Sequence, residues 1–194
     1  MRRMISMTDE YYPWGGDFTV VCSHGSVAVV LLNLDFIPSK DVALYGRLKT
    51  ENIGIEKVVA NVISNPYIRF VVICGEDIRG HRSGESLVCL HRNGINENHR
   101  IIDAPGAIPF IENLDEQAIE RFQKQVRIIN LIGKNDSDFL NEMIGEIVAK
   151  QPKPFGEPYI ALQLKQMVHK DFADKRALHS TITINYMGKI KKRE

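Results

Sequence analysis

The chain has 194 residues, 44% of them hydrophobic, 25% charged and 8% aromatic, enough for one domain with a real core and a small appendage. Twenty-five Lys and Arg against 24 Asp and Glu leave a formal charge of +1, which excludes a general electrostatic footprint for nucleic acid. No apolar run approaches the ~18 residues that span a bilayer, the N-terminal arginines lack an apolar stretch behind them, and Cys22, Cys74 and Cys89 share no C-x-x-C spacing. A reduced, soluble, cytoplasmic chain with no membrane span is the expectation.

In chain order, Val27-Ala-Val-Val-Leu-Leu-Asn-Leu34 is a continuous apolar run of strand length, as expected where both faces of a strand are covered. Ile55, Val58, Val59, Val62 and Ile63 follow the i, i+3, i+4, i+7, i+8 rule. They predict a helix over 51–64, capped by Thr50 or Asn52 and ended by Asn65-Pro66. A second buried strand is expected over 68–74, closed by Gly75, and a short helix over 84–92, stopped at Asn93-Gly94. Residues 95–114 hold two prolines and no sustained period, which reads as a long loop with a short strand over 100–103.

Asp115 can cap a helix reaching Gln125, and a third strand follows over 126–132, ending at Gly133. Phe139, Leu140, Met143, Ile144, Ile147 and Val148 then form one apolar stripe behind an Asp136 cap. Beyond the proline-rich stretch 152–158 lie an expected helix over 161–167 and an edge strand over 180–186, which could pair with a second chain and leaves the oligomeric state open. The alternation of strand, glycine and helix predicts an α/β, Rossmann-like three-layer fold with a mostly parallel sheet over residues 1–158. Residues 159–194 are expected to form a peripheral C-terminal helix/strand extension.

In an open α/β sheet, ligands bind outside the carboxyl ends of the strands. Four segments fall there: 33–37, 75–84, the long loop through Gly106, and 133–135. The richest is Cys74-Gly-Glu-Asp-Ile-Arg-Gly-His-Arg-Ser-Gly84. Gly75, Gly80 and Gly84 permit close backbone approach to a ligand, and the helix amides after Ser83 favour negative charge. Without a closing Gly-Lys-Ser/Thr or a G-x-G-x-x-G fingerprint, no motif supports a nucleotide site. His81 at the centre of the loop is a metal ligand, a general base or a solvated loop residue, and position alone leaves these open. His24 beside Cys22 lacks further zinc ligands, and a Cys74–His81 nucleophile lacks an orienting third group.

The run Lys49-Thr-Glu-Asn-Ile-Gly-Ile-Glu-Lys-Val-Val-Ala-Asn-Val-Ile-Ser-Asn-Pro-Tyr-Ile-Arg-Phe70 closely resembles the A subunit of tetrahydromethanopterin S-methyltransferase from methanogenic archaea. The loop Gly75–Gly84 and the run Gly106-Ala-Ile-Pro-Phe-Ile-Glu-Asn113 are similar too, so the resemblance covers roughly residues 12–159 in register. It implies a Rossmann-type domain binding a corrinoid, cobalamin or 5-hydroxybenzimidazolylcobamide. That cofactor accepts a methyl group from methyl-tetrahydromethanopterin and passes it to coenzyme M, alongside methyltransferase partner subunits. The resemblance makes His81, in the Gly-His-x-x-Gly loop, the axial-ligand candidate for the corrinoid cobalt, with Gly75, Gly80, Ser83 and Gly84 about it.

Further contacts are expected from position. Lys49, Thr50, Glu51 and Asn52 would hydrogen-bond corrin amides, or simply cap the helix and carry surface charge. Gly106, Ala107, Ile108 and Pro109 would form a flat apolar wall beneath the macrocycle, or an ordered loop. Phe155, with Pro154 and Gly156, would add a contact. Two departures from the family and its corrinoid-binding analogues stand out. Membrane-bound members carry a C-terminal transmembrane helix where this chain runs into a polar, basic segment, so a soluble homologue is expected. The Asp-x-His-x-x-Gly pattern of many other corrinoid proteins has Arg79 at its Asp position, which leaves Asp77 or Glu76 to orient the imidazole. The alternative reading is a Rossmann-like binder of another planar or nucleotide ligand.

Overall fold

The computed structural model describes residues 11–39, 41–161, 182–184 and 190–192. Five strands share one sheet: β1 (Phe18–Val20), β2 (Val27–Leu31), β3 (Leu44–Arg47), β4 (Phe70–Gly75) and β5 (Arg127–Ile132), in the order β1-β3-β2-β4-β5. β1 runs antiparallel to β3, and the other three pairings are parallel. Among the described residues the fold is therefore α/β with a five-stranded, mostly parallel sheet and four helices, α1 (Ile53–Ser64), α2 (Ser83–Asn93), α3 (Glu116–Gln125) and α4 (Ser137–Val148).

The apolar run of β2 is buried at every residue because both of its faces are covered. Successive side chains alternate between two cores. Ala28 and Val30 join Ile55, Val59 and Ile63 of α1, Leu87 and Leu90 of α2, and Phe122 of α3. Val27, Val29 and Leu31 join Leu140, Ile144 and Ile147 of α4. Three helices thus cover one face and α4 covers the other.

The helix starts follow the capping residues. Asn52 accepts from the Ile53 amide at 2.8 Å and Thr50 from the Gly54 amide at 2.9 Å, so both expected caps operate. Asp115 and Asp136 accept from the amides of Ala118 and Phe139, each at 2.8 Å.

The structure departs from the sequence reading in three places. β1 and β3 were not expected: they are three and four residues long, and Leu44-Tyr-Gly-Arg47 has neither alternation nor a continuous apolar run. β2 stops at Leu31, although the Leu32 amide still reaches the Cys74 carbonyl at 2.9 Å. No strand forms over 100–103, where only the isolated bridges Ile95↔Ile101 and Arg100↔Phe110 occur. The helix expected over 161–167 lies, beyond Ala161, outside the described residues.

The chain divides into two compact units, residues 1–163 and 164–194. In the second, β6 (Ile182–Ile184) and β7 (Ile190–Lys192) pair antiparallel. β6 is the described part of the edge strand expected over 180–186.

Candidate functional site at the carboxyl ends of the strands

Parallel pairing of β2, β3, β4 and β5 puts the segments that follow them along one edge of the sheet. β4 leaves the sheet at Gly75, whose φ of +92° is left-handed; a Cβ there would lie 2.8 Å from Leu34 Cβ. The Ile78 carbonyl accepts from the amides of His81 and Arg82, and Gly80 (φ +95°) and Arg82 (φ +42°) complete the turn into α2. Ser83 and Gly84 are buried at the helix start. A Cβ on Gly84 would sit 2.7 Å from Leu32 Cδ1, so this glycine serves close packing within the chain.

The helix amides expected to face an anionic ligand are already occupied. Asp77 accepts from the amides of Gly84 and Glu85, at 3.0 and 2.9 Å, and supplies the negative charge that the start of α2 favours. No hydrogen bond joins Asp77 to His81. Glu76 is also engaged elsewhere, accepting from Asn135 Nδ2 at 3.2 Å.

The orienting carboxylate is Glu51, at the start of the α1 segment. Its Oε2 lies 2.9 Å from His81 Nδ1, while its Oε1 accepts from the Ile108 amide at 3.0 Å. Glu51 is 3% exposed and the His81 side chain 54%. Burial pushes the Glu51 pKa up. Hydrogen bonds from its own backbone, from Ile108 and from His81 outweigh that and hold it below the ordinary 4.5. A charged carboxylate only accepts, so Nδ1 carries the proton. His81 Nε2, on the exposed ring, makes no hydrogen bond to a described residue.

Thr50, Glu51 and Asn52 have their side-chain oxygens committed within the chain, to Gly54, to His81 and Ile108, and to Ile53. The segment 106–109 meets the same site from above. Gly106 is pressed so close that a Cβ would lie 2.6 Å from the His81 carbonyl oxygen and 2.8 Å from Glu51 Cγ. Pro109 is buried and its carbonyl accepts from Ile101, whereas Ala107 and Ile108 face solvent. Farther along this loop, buried Glu56 of α1 accepts from the Glu112 amide (2.5 Å) and from Asn113 N and Nδ2 (2.7 Å each).

Exposed isoleucines rim this edge: Ile37 after β2, Ile53 at the start of α1, Ile78 before His81, and Ile108. Only Ile108 was singled out from the sequence, because an exposed isoleucine carries no local signal. Phe155 is a correction. Its amide bonds the Pro66 carbonyl at 2.9 Å, and its ring packs against the Arg69 and Arg121 guanidinium groups. Pro66 and Arg69 precede β4, so Phe155 and its neighbours Pro154 and Gly156 lie at the amino end of the strands, opposite His81.

Among known proteins, the chain matches the sequence model of the family described as the A subunit of tetrahydromethanopterin S-methyltransferase, over residues 6–172. It is 43% identical over 155 residues to the A 1 subunit of tetrahydromethanopterin S-methyltransferase from Methanothermobacter marburgensis, covering 78% of this chain and 65% of that protein. It is 38% identical over 175 residues to the A subunit of the putative methyltransferase Mtx from Methanosarcina barkeri, covering 90% of this chain and 83% of that protein. The chain thus spans just under two thirds of the length of the first relative. Among the described residues no helix is long and apolar enough to cross a membrane.

Proposed function

The chain belongs to the family of tetrahydromethanopterin S-methyltransferase A subunits, and on that premise we propose that it is a corrinoid-binding methyl carrier. The cofactor would be cobalamin or 5-hydroxybenzimidazolylcobamide, held by a Rossmann-like domain formed by residues 1–158. One observation supports this most directly. A histidine whose Nδ1 is held by a buried carboxylate, and whose Nε2 makes no hydrogen bond to a described residue, stands on an exposed edge rimmed by isoleucines.

That arrangement fits the cofactor. A corrinoid would bring most of the ligands of its own metal and would take at most one donor from the protein. Among the described residues no group of three or more His, Cys, Asp or Glu could hold a metal by itself. His81 Nε2 would be that donor, and Ile53, Ile78 and Ile108 would cover apolar parts of the ring. When bound, the cobalt supplies the nucleophile that accepts a methyl group and later releases it.

The chain's own residues hold and orient. Glu51 fixes the imidazole tautomer, as carboxylates commonly do for metal-bound histidines. Asp77 keeps the loop bearing His81 tied to α2. The donor and acceptor are proposed to be methyl-tetrahydromethanopterin and coenzyme M, reached through partner methyltransferase subunits.

The test is to mix the purified chain with hydroxocobalamin and pass it through gel filtration. Red absorbance should travel with the protein, and His81→Ala should change its visible spectrum. Cobalamin eluting entirely free of the wild-type chain would overturn the reading.

A further inference from the structure

β5 is the last strand of the sheet, and its outer edge pairs with no other strand among the described residues. Two bonds at its ends fix which residues face β4. The Arg127 amide donates to the Arg69 carbonyl and the Gly133 amide to the Gly75 carbonyl, each at 2.9 Å. In a parallel pair alternate residues turn both main-chain groups to the same neighbour. Arg127, Ile129 and Leu131 therefore serve β4, and Ile128, Asn130 and Ile132 face outward.

The outward row is closed at both ends from within the chain. The Ile132 amide donates to Asn130 Oδ1 at 3.0 Å. Val126, just before the strand, donates its amide to the Phe122 carbonyl at 3.2 Å, and its own carbonyl accepts from His91 Nε2 at 2.9 Å. Between these closures, Ile128 and Asn130 each present an N–H and a C=O with no partner among the described residues. Little guards the edge: the strand holds no proline, and Arg127 at its start is its one charged residue.

The open groups form a self-complementary window. A second copy laid antiparallel, about a two-fold axis through Ile129, sets Ile128 opposite Asn130 of that copy and Asn130 opposite its Ile128. Residues paired in this way exchange both N–H···O bonds, so each open donor meets an acceptor and the main-chain partial charges match. On the axis Ile129 meets its own equivalent as an apolar cross-strand pair, on the sheet face that α4 covers. The symmetry of the window about one residue is what selects a second copy as its occupant.

We infer that two copies of this chain associate through residues 128–130 of β5, joining their sheets into one. The pairing is antiparallel, so the carboxyl ends of the two sets of parallel strands, each with its His81, point in opposite directions and both stay open. One strand edge is a small contact beside the roughly 1,200–2,000 Å² of a standard stable interface, which places association above about 10 µM. The inference uses main-chain geometry alone and does not rest on the proposed function.

The test uses the full chain at about 1 µM and about 0.5 mM. Light scattering reports the mass, and residue-resolved amide hydrogen exchange reports the edge. The mass should rise from monomer to dimer. Exchange at Ile128 and Asn130 should slow about tenfold or more at the higher concentration, while Ile132, bonded within its own chain, changes by less than about twofold. Asn130→Pro removes an outward donor without touching the ladder to β4 and should stay monomeric at both concentrations. Should that variant fail to fold, as its melting curve would show, exchange in the wild type decides alone. A monomer at both concentrations would overturn the inference, and so would a dimer with unchanged exchange at Ile128 and Asn130. Protection of both amides in a monomer would also overturn it, and would assign the edge to the chain's own C-terminal unit.

Discussion

Adding one methyl group at two glycines should move stability in opposite directions. Neither Gly106 nor Gly145 has a positive φ, so the backbone tolerates alanine at both and only the surroundings differ. At Gly106 the new Cβ meets the His81 backbone oxygen at 2.6 Å, Glu51 Cγ at 2.8 Å and Ser86 Oγ at 2.9 Å. None of these is the free end of a flexible side chain. The first is main chain, Glu51 is pinned at both oxygens, and Ser86 donates to the Arg82 carbonyl at 2.8 Å.

Overpacking of this kind costs about 1–3 kcal/mol. For a chain of this length each kcal/mol is roughly 2–4 °C in Tm, so Gly106→Ala should melt about 2–12 °C lower. Gly145 lies in the exposed interior of α4 with nothing within 4 Å of the added Cβ. Only helix propensity acts there, and Gly145→Ala should gain about 0.5–1 kcal/mol, or roughly 1–4 °C. Melting curves by circular dichroism under identical conditions decide it. Shifts of the same sign, or Gly106→Ala within about 1 °C of wild type, would refute the close packing of Gly106 on Glu51 and His81.

Two further outcomes follow from the site and the core. The Glu51 carboxyl is held below its ordinary value in the folded chain, so its contribution is complete above the unfolded pKa and lost as pH falls through the lower folded one. Wild type should therefore lose more stability than Glu51→Gln between about pH 5 and pH 3 in parallel denaturant titrations, and equal losses would count against it. Burial pushes the Cys74 thiol up to about 12, whereas Cys22 is exposed. A thiol reagent at neutral pH should label Cys22 in the native protein and Cys74 only after unfolding, as peptide mass mapping would show.

Much of the scaffold was legible in the chain order because its signals are local. The apolar spacing of α1 and α4, the caps at Asn52, Asp115 and Asp136, and the buried run of β4 are each encoded within a few residues, and each stands where the spacing predicts. β3 was missed because four residues containing a glycine carry no period; its strand character comes from pairing with β1 on one side and β2 on the other.

The site divides along the same line. By itself the sequence determined that a glycine-flanked loop carrying His81 would follow a buried strand and open a helix, since strand, glycine and helix signals are contiguous there. Which carboxylate serves the imidazole was decided by the tertiary structure. Asp77 and Glu76 are nearer in the chain, yet one is spent on the α2 amides and the other on Asn135, while Glu51 arrives from 30 residues away. The exclusion of Phe155 and the hold of Glu51 on Ile108 were decided in the same way. Hydrogen-bond partners and strand ends are brought together by topology and by competition for donors, and neither leaves a periodic trace along the chain.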